Sequence, residues 1–248
     1  MRSRGVTDSE FGGFSGVCHP NRHDRLASSG RRPEARGVSF SPEVEPVLAA
    51  CWRAPDVVAR LTARWREVGA VRLDDALAPG LAAELAAGLN RLPFALTAVE
   101  GEVAWSATLL VPEVRDPQLF EPLFRLRRFV VDELPALCLA ITGRHLVASS
   151  PERITVVAHR KGSWTGGRVE VPARSVACTI GVAAGAWPAA WGGYDEQVDA
   201  SGDVVWCEPL MPGSVGLADV SLVRRVPVLT RHVERLEVRA LLSVAEDR

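Results

Sequence analysis

Cysteine and histidine are the side chains that most often hold metals or attack substrates, and this sequence has only five of each. One local group, Cys18, His19, His23 and Asp24, has a C-H-x-x-x-H spacing that suits a metal ion. No second cysteine pair accompanies it, so we do not expect a zinc site there. The other cysteines are far apart and form no C-x-x-C pair, which predicts reduced, mostly buried thiols.

The overall composition narrows the classes of function. The 248 residues carry 29 Lys and Arg against 30 Asp and Glu, so the formal charge is -1 and the positive field of a nucleic-acid binder is missing. No apolar run approaches the length of a membrane helix, and the first residues lack the apolar middle of a signal peptide. We therefore expect a cytoplasmic protein with no nucleic-acid or membrane partner. No Walker loop, G-x-G-x-x-G, G-x-S-x-G or H-E-x-x-H motif is present.

The first half of the chain has the spacing of helices. Residues 1–41 show no hydrophobic period and predict a disordered tail, with a folded domain over residues 42–248. Apolar residues at helical spacing from Val57 to Val68, closed by Gly69, predict a helix, and residues 70–73 a short strand. A second helix should begin at Pro79, a strand should cover residues 104–111, and a long amphipathic helix should follow Pro117 until Pro135 interrupts or shifts it.

The second half has the pattern of strands. Stretches rich in β-branched or alternating apolar residues are separated by Gly and Pro clusters, at residues 154–158, 175–182, 204–207, 215–218, 226–229 and 236–244. Helices followed by strands indicate an α+β fold, in which helices cover one side of an antiparallel sandwich or barrel.

The order of these features resembles the prolyl-hydroxylase-like branch of the iron(II) and 2-oxoglutarate dioxygenases. "REVGAVRLDDALAPGLAAELAAGL" is similar to that family's opening, "ITVVAHRKGSWTGG" to a core strand, and "AWPAAWGGYDE" to its W-x-x-x-W-G-G turn. "PLMPGSVGLADV" and "RLEVRALL" resemble two later strands, so the resemblance runs from about residue 55 to 244. It implies a double-stranded β-helix, or jelly roll, with flanking N-terminal helices.

The family binds iron through an H-x-D motif and a distal histidine, and at these positions the sequence departs from it. The H-x-D position falls on Arg168-Val169-Glu170, and the distal histidine position falls on Arg224. A guanidinium group has no lone pair to donate, so neither arginine is a metal ligand. Glu170 alone keeps the character of a ligand, and one carboxylate does not hold iron(II).

Two more residues acquire roles through the resemblance. Arg235 stands where the family's last strand carries the arginine that pairs with the far carboxylate of 2-oxoglutarate, and a bidentate guanidinium suits that contact. The alternative is a surface arginine in an arginine-rich protein. His159 stands one strand before the H-x-D position, where it either faces the pocket or is an ordinary core histidine.

Three hypotheses remain. The first is a degenerate oxygenase without iron or another cofactor, whose pocket binds an anionic small molecule through Arg168, Arg224, Arg235 and His159, with Glu170 as counterion or general base of a metal-independent reaction. The second is an active iron and 2-oxoglutarate hydroxylase with atypical ligands such as His159, Glu170 and His232. The third is a non-catalytic scaffold or regulatory module. The substrate and the oligomeric state are not determined by the sequence.

Overall fold

The computed structural model describes residues 47–78, 80–109, 117–148, 154–167, 172–182, 188–209 and 211–244. The predicted disordered tail and its group of Cys18, His19, His23 and Asp24 lie outside these ranges. Within them, no helix is long and apolar enough to cross a membrane.

The described residues form four α-helices. Helix α1 covers Pro55–Val68 and ends, as predicted, at Gly69, which adopts the left-handed conformation with φ 70° that favours glycine at a helix end. Helix α2 follows at Leu81–Leu89, with Leu81, Leu85 and Leu89 on its buried side. Their apolar faces pack on the core, so the short helices are held by burial more than by their own propensity.

The third helical region shifts just before Pro135, which is one of the two outcomes that the sequence predicted there. Helix α3, Pro117–Arg128, continues through a π-helical segment, Phe129–Glu133, into helix α4, Leu134–Thr142. The Leu134 N–H donates to the carbonyl of Phe129, five residues earlier. This wider turn places Pro135 in the first turn of α4, where the missing N–H of proline costs little, so the chain stays helical.

In the described part of the chain, nine strands form one large antiparallel sheet. Its order is β1-β10-β7-β12-β5-β3-β2, with β4 paired to β12 and β6 paired to β3. The strands are β1 Ala70–Leu73, β2 Ala95–Val99, β3 Glu102–Leu109, β4 Leu146–Ala148, β5 Ile154–His159, β6 Trp164–Thr165, β7 Val176–Gly181, β10 Val215–Asp219 and β12 Arg235–Val244.

A smaller sheet of three antiparallel strands completes the barrel. Its order is β11-β8-β9, with β8 at Asp195–Val198, β9 at Val204–Glu208 and β11 at Val223–Arg225. The two sheets and the few helices make an α+β jelly roll, the double-stranded β-helix that the resemblance implied.

The two faces of the large sheet have opposite chemistry. Alternate residues of a strand point to opposite faces, and in β12 one set, Leu236, Val238 and Leu242, belongs to the hydrophobic core. The other set, Arg235, Glu237 and Arg239, forms ion pairs. One face is therefore apolar and shares its core with the helices, while the other is ionic.

Two strands of the small sheet differ from the sequence-based prediction. The strand predicted at residues 226–229 lies three residues earlier, as β11, because Pro227 has no N–H for a ladder and only Val226 makes a bridge, to Thr165. Strand β8 was not predicted, since its sequence Asp-Glu-Gln-Val lacks an apolar pattern. Its alternate residues Asp195 and Gln197 are nevertheless the buried ones.

Candidate functional site

Seven described side chains form a connected polar group, which we call the ion cluster. Strand β12 supplies three of its members and four other strands supply one each. Its residues are Glu102 on β3, His159 on β5, Asp195 on β8, Arg224 on β11, and Arg235, Glu237 and Arg239 on β12.

Glu237 is the centre of the cluster and is fully buried. Arg224 donates to both of its carboxylate oxygens, through Nη1 at 2.9 Å and Nη2 at 2.8 Å. Arg235 Nη2 donates to the same carboxylate at 2.7 Å, and Arg239 Nε at 2.6 Å. His159 Nε2 lies 3.2 Å from Glu237 Oε1. A single carboxylate is thus shared by three guanidinium groups.

Two further carboxylates balance the remaining positive charge. Asp195 accepts a short hydrogen bond from Arg224 Nη2 and a longer one, 3.2 Å, from Arg235 Nη2. Glu102 accepts from Arg239 Nη1 at 2.6 Å. The three guanidinium groups therefore meet three carboxylates, and the described part of the cluster has no net charge while His159 is neutral.

The buried surroundings fix these protonation states. Burial by itself would raise the pKa of Glu237, but the neighbouring arginines hold that pKa well below its ordinary value. Burial likewise opposes the charge on Arg224, and Asp195 with Glu237 raises the pKa of its guanidinium all the same. Burial lowers the pKa of His159, outweighing the attraction of Glu237. Glu237 and Arg224 are therefore charged at neutral pH, and the imidazole of His159 is not.

Some buried donors of the cluster remain unused. Arg224 Nε and both Nε and Nη1 of Arg235 have no hydrogen-bond partner among the described residues, and neither does Nδ1 of His159. Buried polar groups without partners are uncommon in native proteins and call for a bound group or water.

A cavity of about 370 Å³ lies against the ion cluster, within the range of small-molecule sites. Arg224, Arg239, Asp195 and Glu102 line it, whereas Arg235, Glu237 and His159 do not. The remaining wall is mixed. Its polar members include Thr155, Thr165, Thr179 and Gln197, and its apolar members include Val99, Trp206, Leu222, Val223 and Leu241.

The structure brings together three of the residues singled out from the sequence. Arg224, Arg235 and His159 all contact the carboxylate of Glu237. Arg168 and Glu170 lie outside the described residues, so their place in the pocket stays a prediction.

The alternative pair of histidine ligands does not share one environment. His159 is fully buried beside Glu237, whereas His232 is exposed, with its Nε2 3.2 Å from Lys161 Nζ. A metal site containing both imidazoles is not assembled in this geometry.

Four members of the cluster were missed: Glu102, Asp195, Glu237 and Arg239. One signal was present in the sequence, because "RLEVR" places charges at every second position of a strand whose other residues are apolar. Such alternation in a central strand is compatible with a buried polar face and with a solvent-exposed one. The strand's position in the closed barrel determines which of the two is formed.

The iron that the resemblance implies does not fit the described residues. Arg224, which the resemblance places at the family's distal histidine position, has no lone pair to offer, and its terminal nitrogens already donate to Glu237 and Asp195. Among the described residues, no group of three His, Cys, Asp or Glu side chains is arranged to hold a metal ion.

The barrel and its internal pocket define a class of fold, that of the 2-oxoglutarate and iron(II) oxygenases. A Pseudomonas putida prolyl-4-hydroxylase is similar, with a TM-score of 0.57 and 15% identity over 76% of this chain and 100% of that chain. The alpha-ketoglutarate-dependent epimerase SnoN of nogalamycin biosynthesis has a TM-score of 0.58 and 16% identity, over 77% and 84%. A Trichoplax adhaerens prolyl hydroxylase has a TM-score of 0.59 and 13% identity, over 77% and 90%. No family model and no curated protein sequence matches the chain.

Proposed function

We propose that this protein binds an anionic small molecule in the barrel cavity without iron, and that the ion cluster stands where related folds hold their metal. The observation that carries the proposal is the unequal exposure of the two signs of charge. The Arg224 and Arg239 side chains are 16% and 23% exposed, whereas Asp195 and Glu237, which neutralise them, are 3% and 0% exposed.

Two cations and two anions of the cluster line the cavity, and the anions differ in exposure: Asp195 is almost fully buried, whereas 23% of the Glu102 side chain is exposed beside Arg239. The cationic side of the cavity is therefore the part at Arg224. A carboxylate that approaches Arg224 finds its counterions buried behind it, so it gains charge-assisted contacts worth about 1.5 to 3 kcal/mol each.

Arg168 and Glu170 belong to the same proposal through the resemblance. Arg168 would add a third cation to the pocket, and Glu170 would act as the general base of a metal-independent reaction on the bound molecule. If the pocket only binds, without reaction, the protein is a ligand-dependent regulatory module.

The test substitution is placed in the cavity wall and not in the ion cluster, because removing one partner of a buried ion pair destabilises the fold. Gly216 lines the cavity, and a Cβ built there would have only the Thr179 carbonyl oxygen within 4 Å, at 3.8 Å. Gly216→Leu should thus fill part of the cavity while leaving every ion pair intact. Ala95→Leu, on the exposed strand β2, adds the same side chain outside the cavity.

Calorimetric titration with 2-oxoglutarate and with succinate, in the presence of a chelator, measures binding to the three proteins. We expect both acids to bind to the wild type and to Ala95→Leu, and Gly216→Leu to lose at least tenfold in affinity. The proposal fails if neither acid binds, or if Gly216→Leu binds like the wild type. Conversion of 2-oxoglutarate to succinate that depends on added iron(II) would restore the oxygenase hypothesis instead.

A further inference from the structure

A second polar group faces the cavity on the small sheet, next to the ion cluster. The Gln197 side chain lines the cavity, and the residue is only 5% exposed. Its amide makes no hydrogen bond to any described residue. Because the residue lines the cavity, this amide is available to a molecule bound there.

Gln197 lies in a row of three side chains that crosses the small sheet. In the strand pairing it is opposite Arg224 on β11 and opposite Trp206 on β9. Directly paired residues share a face, and all three line the cavity. Adjacent strands are about 4.8 Å apart, so the row runs roughly 10 Å from the cationic end at Arg224 to the indole of Trp206.

The chemistry changes along this row from charged to neutral to aromatic. Arg224 offers positive charge, Gln197 offers one acceptor and two donor hydrogens, and Trp206 offers a flat apolar ring. Trp206 is half-buried on the edge strand β9 and lines the cavity.

We propose that Gln197 and Trp206 form a second subsite, which binds the uncharged end of the ligand as a planar, aromatic or conjugated group with a hydrogen-bonding substituent. The inference rests on the proposed function for the anionic end of the ligand. It makes the ligand bipartite, with a carboxylate or similar anion at Arg224 and a flat group on Trp206 whose substituent pairs with the Gln197 amide.

Four small molecules test the contributions of the charge, the ring and the amide separately. Succinate carries charge without a ring, benzoate a ring and a charge, 4-carbamoylbenzoate a ring with both a charge and an amide, and benzamide a ring and an amide without charge. Calorimetry on the wild type should give 4-carbamoylbenzoate an affinity about tenfold above that of succinate, with benzoate between them.

Two variants assign the difference to the subsite. Trp206→Leu should lower the affinity for 4-carbamoylbenzoate about tenfold and change that for succinate less than twofold. Gln197→Leu, which keeps a similar volume, should lower the affinity for 4-carbamoylbenzoate about fivefold and leave benzoate unchanged. The melting temperature of Gln197→Leu should equal or exceed that of the wild type, because the variant loses no hydrogen bond to a described residue. Trp105→Leu, outside the cavity, is the matched control.

The outcomes distinguish the two proposals. If succinate binds but neither aromatic acid binds more tightly, or if Trp206→Leu weakens all acids equally, the second subsite is wrong and the anion site stands. If no acid binds but benzamide binds and depends on Trp206 and Gln197, the second subsite stands and the anion site is wrong. If none of the four probes binds, both proposals are overturned.

Discussion

The two faces of the large sheet bury their side chains in different chemical environments, one apolar and one ionic. Glu237 and Val238 are consecutive residues of β12, both fully buried, with side chains on opposite faces. Val238 packs in the hydrophobic core, where volume and shape decide stability. Glu237 is surrounded by guanidinium groups, where every charge depends on its partners. The apolar face should therefore tolerate a small loss of side-chain volume at one position, whereas the loss of one charge on the ionic face should destabilise the whole ion cluster.

The largest expected effect comes from removing the central charge. Glu237→Gln keeps the shape of the side chain but leaves three arginines without their shared carboxylate, and we expect a loss of about 3 to 5 kcal/mol in the free energy of unfolding. Chemical denaturation measures it. Val238→Ala, the matched variant on the other face, should cost about 2 kcal/mol. A smaller loss for Glu237→Gln than for Val238→Ala would contradict the comparison.

A second prediction uses pH to separate the faces. The folded-state pKa of His159 lies below its ordinary value of 6.5, because burial disfavours the imidazolium. The unfolded chain therefore binds a proton that the folded protein does not, so stability falls as the pH drops below about 6.5. His159→Gln should remove this part of the slope between about pH 6.5 and 5, measured by denaturation at each pH.

The control for the pH series is the cluster's own carboxylates. The folded-state pKa values of Glu237 and Glu102 lie below the ordinary value of 4.5, so their stabilisation is present above pH 4.5 and is lost only on further acidification. An acid transition below pH 4.5 should thus persist in His159→Gln. Identical slopes for wild type and variant from pH 6.5 to 5 would show that His159 is not held neutral.

The smallest expected effect belongs to an ion pair outside the barrel. Arg60 and Asp56 pair at 2.9 Å on the surface of α1, with both side chains about 70% exposed. Arg60→Ala should change the free energy of unfolding by at most about 0.5 kcal/mol, since water screens both charges. A loss approaching that of Glu237→Gln would mean that burial does not set the difference between the two pairs.

The apolar and ionic faces also differ in how well the sequence predicts them. The apolar face was predictable, because helix α1 and strands such as β10 and β12 carry regular hydrophobic periods. Strand β8 was not, because its buried residues Asp195 and Gln197 are polar and hydrophobicity does not mark them.

The candidate site was predictable only where the family resemblance fixed a position. It singled out Arg224, Arg235 and His159, which the structure joins through Glu237. It identified no counterions, since partners such as Asp195 lie 29 residues from Arg224 and meet it only when β8 pairs with β11 in the small sheet. Long-range pairing of this kind has no local signal in a single sequence.

We propose that the ion cluster takes the place of iron. Anaerobic titration of iron(II) into the chelator-treated, dialysed protein tests this proposal most directly. Calorimetry should detect no stoichiometric site, because Arg224 offers no lone pair and the nearby carboxylates are engaged by guanidinium groups. Binding of one equivalent of iron(II) with micromolar or tighter affinity would contradict the account.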